Sequence, residues 1–275
     1  MTAQEKSCAA IFYGRSMMTL ELKEKLRSLA DKYETASFLN EDPSQFMKWY
    51  TSRRDIEVAL FITAMLSFGN RKQFIPKIRS IFELADKHGG ICGWLESGDF
   101  EKEFVPAEGS YELVKFYRFY SYEDMKVLFR RLAQVLKGGV VFGDFLRSEF
   151  DSEDQNLSAG ERICSAIARV FSDCKIVPKG KSSANKRVHM YLRWMVRRGS
   201  PVDLGLWDWY SPADLIIPLD THVLQEAKKF GMLKESCPAS FKTAVRLTEE
   251  LKQIWPDDPC KGDFALFGLG VADNE

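Results

Sequence analysis

Apolar residues recur three and four positions apart along almost the whole chain. Leu22, Leu26 and Leu29 follow this spacing near the N-terminus, and Ile56 and Leu60 begin a second such series. This period places the apolar residues on one face of an α-helix, whereas no stretch of useful length alternates as a half-buried strand does. The sequence therefore predicts an all-α fold.

The same spacing predicts most of the remaining helices. They are expected at Lys72 to Lys87, Tyr111 to Tyr117, Tyr122 to Leu136, Leu157 to Phe171, Ala184 to Arg198, Asp220 to Phe230, Ala239 to Ile254 and Pro259 to Phe267. Ser158 and Glu161 have the spacing of a capping box, and Gly138 and Gly199 are typical helix stops. With no repeat or long linker between them, we expect residues 17–275 to form one helical domain with two lobes around a cleft, and residues 1–16 to be a disordered lead.

The cysteines and the apolar runs exclude several classes of protein. The six cysteines are scattered, with no C-x-x-C motif and no histidine at metal-ligand spacing, so we predict neither a metal site nor a disulfide framework, and no cofactor. The apolar run of residues 8–13 is too short to cross a bilayer. We therefore expect a soluble, cytoplasmic protein without a membrane partner.

Charge is balanced overall but not along the chain. The 39 lysines and arginines match 39 acidic residues, yet residues 174–202 contain no acid at all. Eight cations lie in that stretch: Lys175, Lys179, Lys181, Lys186, Arg187, Arg193, Arg197 and Arg198. This distribution predicts a local basic surface that suits a polyanion.

A lysine and an aspartate stand at two predicted helix starts. Lys186 lies in the first turn of one helix among other cations, and crowding of this kind favours the neutral, nucleophilic amine. Asp220 follows Ile217-Pro218-Leu219 where the next helix begins. Structural roles remain open for both, because Lys186 fits a solvated lysine and Asp220 fits a helix N-cap.

A tight turn precedes the lysine helix. Lys179-Gly180-Lys181-Ser182-Ser183 has small residues whose backbone N–H groups, together with the helix N-terminus, suit a phosphate. The Gly-Lys-Ser run is not a nucleotide-binding P-loop, because the first glycine of that motif and its preceding buried strand are missing.

The motif around Lys186 through Leu192, followed by Ile217-Pro218-Leu219-Asp220-Thr221-His222-Val223, resembles the helix-hairpin-helix DNA glycosylase superfamily. The run from Asp263 to Gly270 looks closer still to an uncharacterised bacterial family within it. The resemblance covers roughly residues 55–271, and only the Lys186 and Asp220 motifs are specific. It implies a two-lobed helical fold with a central cleft.

The resemblance also implies a function. Lys186 matches the Schiff-base lysine and Asp220 the essential aspartate of enzymes that extrude a damaged base from the duplex and release it, with strand cleavage by β-elimination. The implied partner is double-stranded DNA containing a damaged base, with an oxidised purine favoured, bound by a monomer at the nucleoid. The expected DNA contacts are Lys179, Gly180, Lys181, Ser182, Ser183, Arg187, Asn70 and His222, and the expected base pocket is Phe68, Trp194 and Trp207.

The chain also departs from the superfamily pattern. Gly180-Lys181-Ser182-Ser183-Ala184 replaces the glycine-rich hairpin, and the connection from Lys186 to Asp220 is longer than in the endonuclease III branch. Two other classes therefore stay open: a catalytically silent protein that binds damaged or structured DNA, and an RNA-directed or protein-interaction role for the basic face. Aromatic residues on helices also belong to the core more often than to a pocket.

Overall fold

The computed structural model describes residues 18–40, 42–106, 114–180 and 183–272, and the expected lead of residues 1–16 lies outside them. The chain is mostly helical, so the prediction of an all-α fold is confirmed at this level. The α-helices are α1 (Leu20–Tyr33), α2 (Arg53–Leu66), α3 (Arg71–Ala85), α4 (Ile91–Ser97), α5 (Phe100–Glu103), α6 (Tyr122–Leu136), α7 (Phe142–Asp151), α8 (Ala159–Val170), α9 (Lys186–Val196), α10 (Thr221–Lys229), α11 (Phe241–Leu251) and α12 (Lys261–Ala272). Short 3-10 helices span Ala36–Asn40, Pro43–Lys48, Asp86–His88 and Pro212–Asp214.

Local sequence signals set several helix ends. Ser158 and Glu161 form the expected capping box at the start of α8, and Ser121 with Asp124 forms another at the start of α6. After α6, Gly138 adopts a positive φ of 78° that ends the helix at low steric cost. Helices α4, α5 and α7 were not expected from the sequence, and α7 begins at Phe142, within an apolar run that is too short to be diagnostic.

One predicted helix is wrong where the structure describes it. Residues 115–117, expected at the end of a helix, form strand β1 (Lys115–Tyr117), which pairs antiparallel with β2 (Tyr120–Ser121). Arg118, in the turn between them, has a φ of 49°, a conformation that no α-helix contains. Phe116 and Tyr117 are also residues that favour strands.

Buried apolar side chains form two clusters. The first cluster contains the inner faces of α2 to α4 and α6 to α9. The second cluster is built from the N-terminal helix α1 and the C-terminal helices α10, α11 and α12. Helices α1 and α12 pack along each other, and α10 packs on α12. The two ends of the described chain therefore meet in the same part of the molecule.

Helix α9 lies at the centre of the first cluster. Every residue from Val188 to Val196 is buried, so this helix has no solvent-facing stripe beyond its first turn. Tyr191 packs edge-on against Phe61 of α2 and donates a hydrogen bond from its hydroxyl to the carbonyl of Glu57. The start of α9, which carries Lys186, is thus fixed by a helix that is anchored in the core.

Candidate functional site

The turn before α9 is closed by an asparagine that the sequence analysis did not single out. Asn185 has a φ of 48°, in the left-handed region that asparagine tolerates better than most residues. Its amide nitrogen donates to the carbonyl of Gly180, 3.0 Å away, and its backbone N–H donates to the hydroxyl of Ser183. The side chain makes no capping bond to α9, so the first N–H groups of the helix are not blocked by it.

Lys186 and Asp220 meet at the starts of two helices. The Nζ atom of Lys186 lies 2.9 Å from Oδ2 of Asp220. The other carboxylate oxygen, Oδ1, accepts a hydrogen bond of 2.9 Å from the backbone N–H of Val223 and so caps α10. The two roles considered for Asp220, helix cap and partner of the lysine, are held by the same side chain.

The environment keeps Asp220 ionised. Burial raises its pKa, but the Lys186 ammonium and the N–H of Val223 together lower it by more, so the pKa lies below its ordinary value. The lysine side chain is 34% exposed and the aspartate 14%. The Lys186 side chain is therefore accessible to a ligand, whereas its carboxylate partner Asp220 is largely buried.

A cavity of about 180 Å³ opens beside this pair. Its lining combines aromatic rings, ionisable groups and backbone from both clusters: Phe38, Asp42, Ser67, Phe68, Gly69, Arg71, Phe74, Lys186, Arg193, Pro218, Asp220, His222, Asp263 and Phe267. This volume is below the roughly 300–1,000 Å³ of pockets for drug-sized ligands, so it suits a single small ring system.

A second, more open groove is also lined by Lys186. It measures about 330 Å³ and is lined by Pro178, Ser183 and Asn185 of the turn, by Lys186 and Arg187, and by Ser67, Phe68 and Gly69. Phe68 and Gly69 line both spaces. The lysine amine thus stands between a small cavity and an open groove.

Phe68 and Gly69, which line both spaces, lie next to the two-stranded sheet, and Phe68 contacts residues of that sheet and its turn. The hydroxyl of Tyr117 donates a hydrogen bond of 2.5 Å to the carbonyl of Phe68. Phe119, 66% exposed, stacks on Phe68 with ring centroids 6.0 Å apart and planes 13° from parallel. The small sheet therefore holds the wall and leaves an exposed aromatic ring next to it.

The basic surface expected from residues 174–202 is much smaller than predicted. Arg193 and Arg197 are buried, and both pair with the buried Asp203. Arg193 also pairs with Asp263, and Arg197 with Asp258. These acids follow Val202 in sequence, which is why an acid-free run gave no sign of them.

The other cations of this stretch are also engaged. Lys175 pairs with Asp124, and Lys179 donates to the carbonyl of Ser172. Arg187 donates to the carbonyl of Met65, and its guanidinium lies 5.0 Å from the centre of the Phe68 ring. Among the described cations of this stretch, Lys175, Lys179 and Arg198 are exposed.

The structure brings only some of the predicted site residues together. Phe68 and His222 line the cavity, and Ser183 and Arg187 line the groove. Lys179 and Gly180 lie in the turn and line a separate cavity behind it. Asn70 caps α3 through a hydrogen bond from the backbone of Lys72 and lines neither space. Lys181 and Ser182 lie outside the described residues.

The two tryptophans predicted for the base pocket are in the core. Trp194 and Trp207 are fully buried, and neither lines the cavity beside Lys186. The indole N–H of Trp207 donates to the buried Glu57, 2.9 Å away. The aromatic rings at the cavity are instead Phe38, Phe68, Phe74 and Phe267, all phenylalanines.

Three carboxylates line the cavity, and the sequence analysis found only Asp220. Asp263 is buried, and burial raises its pKa from 3.8 to about 6, with the Arg193 guanidinium opposing this shift and Asp220 adding to it. Asp42 is 7% exposed and precedes a 3-10 helix. Asp263 begins the run from Asp263 to Gly270 that resembles the uncharacterised bacterial family. No motif around Asp42 indicates a functional role.

Within residues 18–40, 42–106, 114–180 and 183–272, no group of three or more histidine, cysteine or acidic side chains is arranged to hold a metal ion. In the same part of the chain, no helix has both the length and the apolar character needed to cross a membrane.

Fold and site together define a mostly helical protein with a lysine–aspartate pair between a small cavity and a groove. The model of one protein family, described as "Protein of unknown function (DUF2400)", matches residues 42–272. The chain belongs to this family. No curated protein and no solved structure matches it.

Proposed function

We propose that this protein is a DNA glycosylase with lyase activity that removes a damaged base through a Schiff base on Lys186. The observation that carries the proposal is the 2.9 Å contact between Lys186 Nζ and Asp220 Oδ2 at the mouth of a cavity with aromatic walls. A nucleophilic amine, a proton acceptor and space for a flat ring are what base release through an imine requires.

The chemistry begins with the proton on Lys186. While it is still ionised, the Asp220 carboxylate stabilises the positive charge that develops on the sugar as the bond from C1′ to the base lengthens, and it takes the proton of Lys186 as the amine adds to C1′. The bond from C1′ to the base breaks, and its electron pair leaves with the base, which takes up a proton.

Strand cleavage follows from the covalent intermediate. The sugar ring opens to give an imine between C1′ and Lys186, loss of a proton from C2′ drives departure of the 3′ phosphate, and water later releases the lysine. No electrons are gained or lost in this sequence, so no redox partner is needed.

The groove supports binding of the DNA backbone. The start of α9 offers uncapped backbone N–H groups, and the positive end of a helix dipole favours a phosphate at this position. A base that leaves the duplex here passes Lys186 to reach the cavity. Extrusion costs a few kcal/mol of unstacking, less for a damaged or mispaired base.

Borohydride trapping tests the proposal. The protein is incubated with duplexes that carry one damaged base or one abasic site, and borohydride reduces any imine to a stable amine adduct. We expect an adduct with the wild-type protein and none with Lys186→Gln. An adduct that persists in Lys186→Gln would remove this lysine from its proposed role.

Lys175→Gln is the matched control. Lys175 is also ion-paired with an aspartate, at 2.8 Å, but it is 75% exposed and is not among the residues that line the cavity. Its variant should trap as well as the wild type. Tight binding of lesion-bearing duplexes with neither an adduct nor base release would instead support the silent DNA-binding alternative.

A further inference from the structure

The cavity wall holds two carboxylate oxygens without a hydrogen-bond partner. Oδ1 of Asp42 accepts from the backbone N–H and the hydroxyl of Ser44, at 3.0 and 2.6 Å, but in the described chain no donor reaches Oδ2. Asp263 likewise binds Arg193 through Oδ2, with no hydrogen bond to Oδ1 from the described residues. Asp42 and Asp263 are 7% and 5% exposed and both line the cavity, so a ligand there can supply the donor that the described residues do not.

The cations at the cavity do not fill these acceptors. Lys186 is held by Asp220, and Arg193 is held by Asp203 and Asp263. Arg71 is partly exposed and lies over the ring of Phe267, 5.5 Å from its centre, where it can meet a phosphate of the same nucleotide. A ring that enters the cavity therefore meets hydrogen-bond acceptors on the wall.

The aromatic lining restricts the shape of such a ligand. Phe38 and Phe267 pack edge to face, with centroids 6.0 Å apart, and both line the cavity together with Phe68. Flat rings pack well against phenylalanine. The cavity thus combines space for a planar heterocycle with acceptors for its N–H groups.

We infer that Asp42 is a specificity-determining residue, whose Oδ2 atom accepts a hydrogen bond from an exocyclic amino group of the extruded base. The substrate class is a damaged base that carries such an amine. The inference rests on the proposed function and names the base that the site selects. The Ser44 contacts fix the carboxylate, so that it cannot turn away when a base lacks the donor.

The position of Oδ2 of Asp42 lets the site discriminate between bases with and without an exocyclic amine. An amine donates to Oδ2. A bare ring carbon at the same position leaves this oxygen unpaired, and a carbonyl faces it with a second acceptor. A site built around such a hydrogen bond rejects an analogue that lacks the donor, because its own polar group then stays unpaired.

Matched lesion pairs test the inference. Duplexes carry 8-oxoguanine or 8-oxohypoxanthine, and 5-hydroxycytosine or 5-hydroxyuracil, and the members of each pair differ in whether an exocyclic amine is present. In whichever pair is released, we expect the amino member to be released at least about tenfold faster. Equal rates, the reverse preference, or no release from either pair by a protein that traps on an abasic site would overturn the inference.

Asp42→Asn assigns the preference to one side chain. The amide oxygen can keep the Ser44 contacts, while an NH₂ donor replaces the acceptor Oδ2, so release of the amino member should fall to the rate of its partner. Asp154→Asn is the control, because Asp154 accepts from the backbone N–H of Asn156 in the same local arrangement but is exposed. It should leave the preference unchanged.

Trapping on a preformed abasic site separates the two proposals. This substrate has no base to read, so Asp42→Asn should trap on it as the wild type does. Failure of the wild type to trap there would refute the lysine chemistry itself. Normal trapping by both proteins, with an unchanged base preference in Asp42→Asn, would refute only the role of Asp42.

Discussion

Asp220 contacts Lys186 through Oδ2 and the first turn of α10 through Oδ1, both at 2.9 Å. One carboxylate thus couples the amine of the proposed chemistry to the stability of a helix. Substitutions that keep one of these contacts and remove the other can separate them.

Asp220→Asn should keep the cap and lose the ion pair. Asparagine is as good an N-cap as aspartate, whereas alanine removes the cap and costs about 1 kcal/mol. We therefore expect Asp220→Ala to be about 1 kcal/mol less stable to urea unfolding than Asp220→Asn, and both variants to lose trapping. Equal stability of the two variants would show that the cap contributes nothing.

The raised pKa of Asp263 should make the stability of the protein depend on pH. Its pKa rises from 3.8 to about 6 on folding, so the native state binds this proton more tightly than the unfolded state does. The contribution is fully present below pH 3.8 and is lost as the pH rises through about 6, a change of about 3 kcal/mol. Asp220, with its lowered pKa, acts in the opposite sense and loses its contribution as the pH falls.

Urea unfolding of wild type and Asp263→Asn between pH 3.5 and pH 7 isolates this effect. The variant cannot titrate at position 263, so the stability of the wild type relative to the variant should decrease as the pH rises. A constant difference across this range would contradict the raised pKa of Asp263.

Some parts of the fold and of the candidate site could be predicted from the sequence, and others could not. Helix α6 begins and ends at the predicted residues, because its apolar face follows the helical period and local signals mark both ends. The lysine and aspartate were likewise marked by their own motifs. Burial of Arg193 and Arg197 was not predictable in this way, because their acidic partners Asp203, Asp258 and Asp263 come from later segments that only the tertiary fold brings near.

The aromatic residues that line the cavity could not be predicted from the sequence either. Trp194 lies on α9, and a helix whose last nine residues are all buried offers no periodic signal for which face meets a cavity. Phe38 and Phe267, which do line the cavity, come from opposite ends of the chain. Local sequence cannot show that they meet.

Gly69 is required by both its backbone and its neighbours. Its φ is +80°, and an added Cβ would lie 2.0 Å from Nη1 of Arg118 and 2.9 Å from the hydroxyl of Tyr117. Gly199→Ala is the matched control, since Gly199 has a φ of +67° with open space around it. Both alanine variants should lose about 1 kcal/mol to backbone strain, and Gly69→Ala about 1 kcal/mol more, measured by thermal or urea unfolding.

The buried ion pairs should matter far more than the exposed ones. Arg197 is 2% exposed, and its removal takes an ion-pair partner from Glu34, Asp203 and Asp258. We expect Arg197→Leu to destabilise the protein by about 3–5 kcal/mol. Arg169→Leu removes two contacts from a side chain that is 52% exposed and should cost no more than about 1 kcal/mol. Similar losses in urea unfolding would contradict this ordering.

The packing of α1 along α12 has a consequence for the order of events during synthesis. The second cluster includes side chains of α12, so it cannot close until that helix has left the ribosome. Lys186 stands on α9 of the first cluster and Asp220 at the start of α10 in the second. A nascent chain therefore carries the amine without its carboxylate partner in place, and the pair is assembled only after α12 has been made.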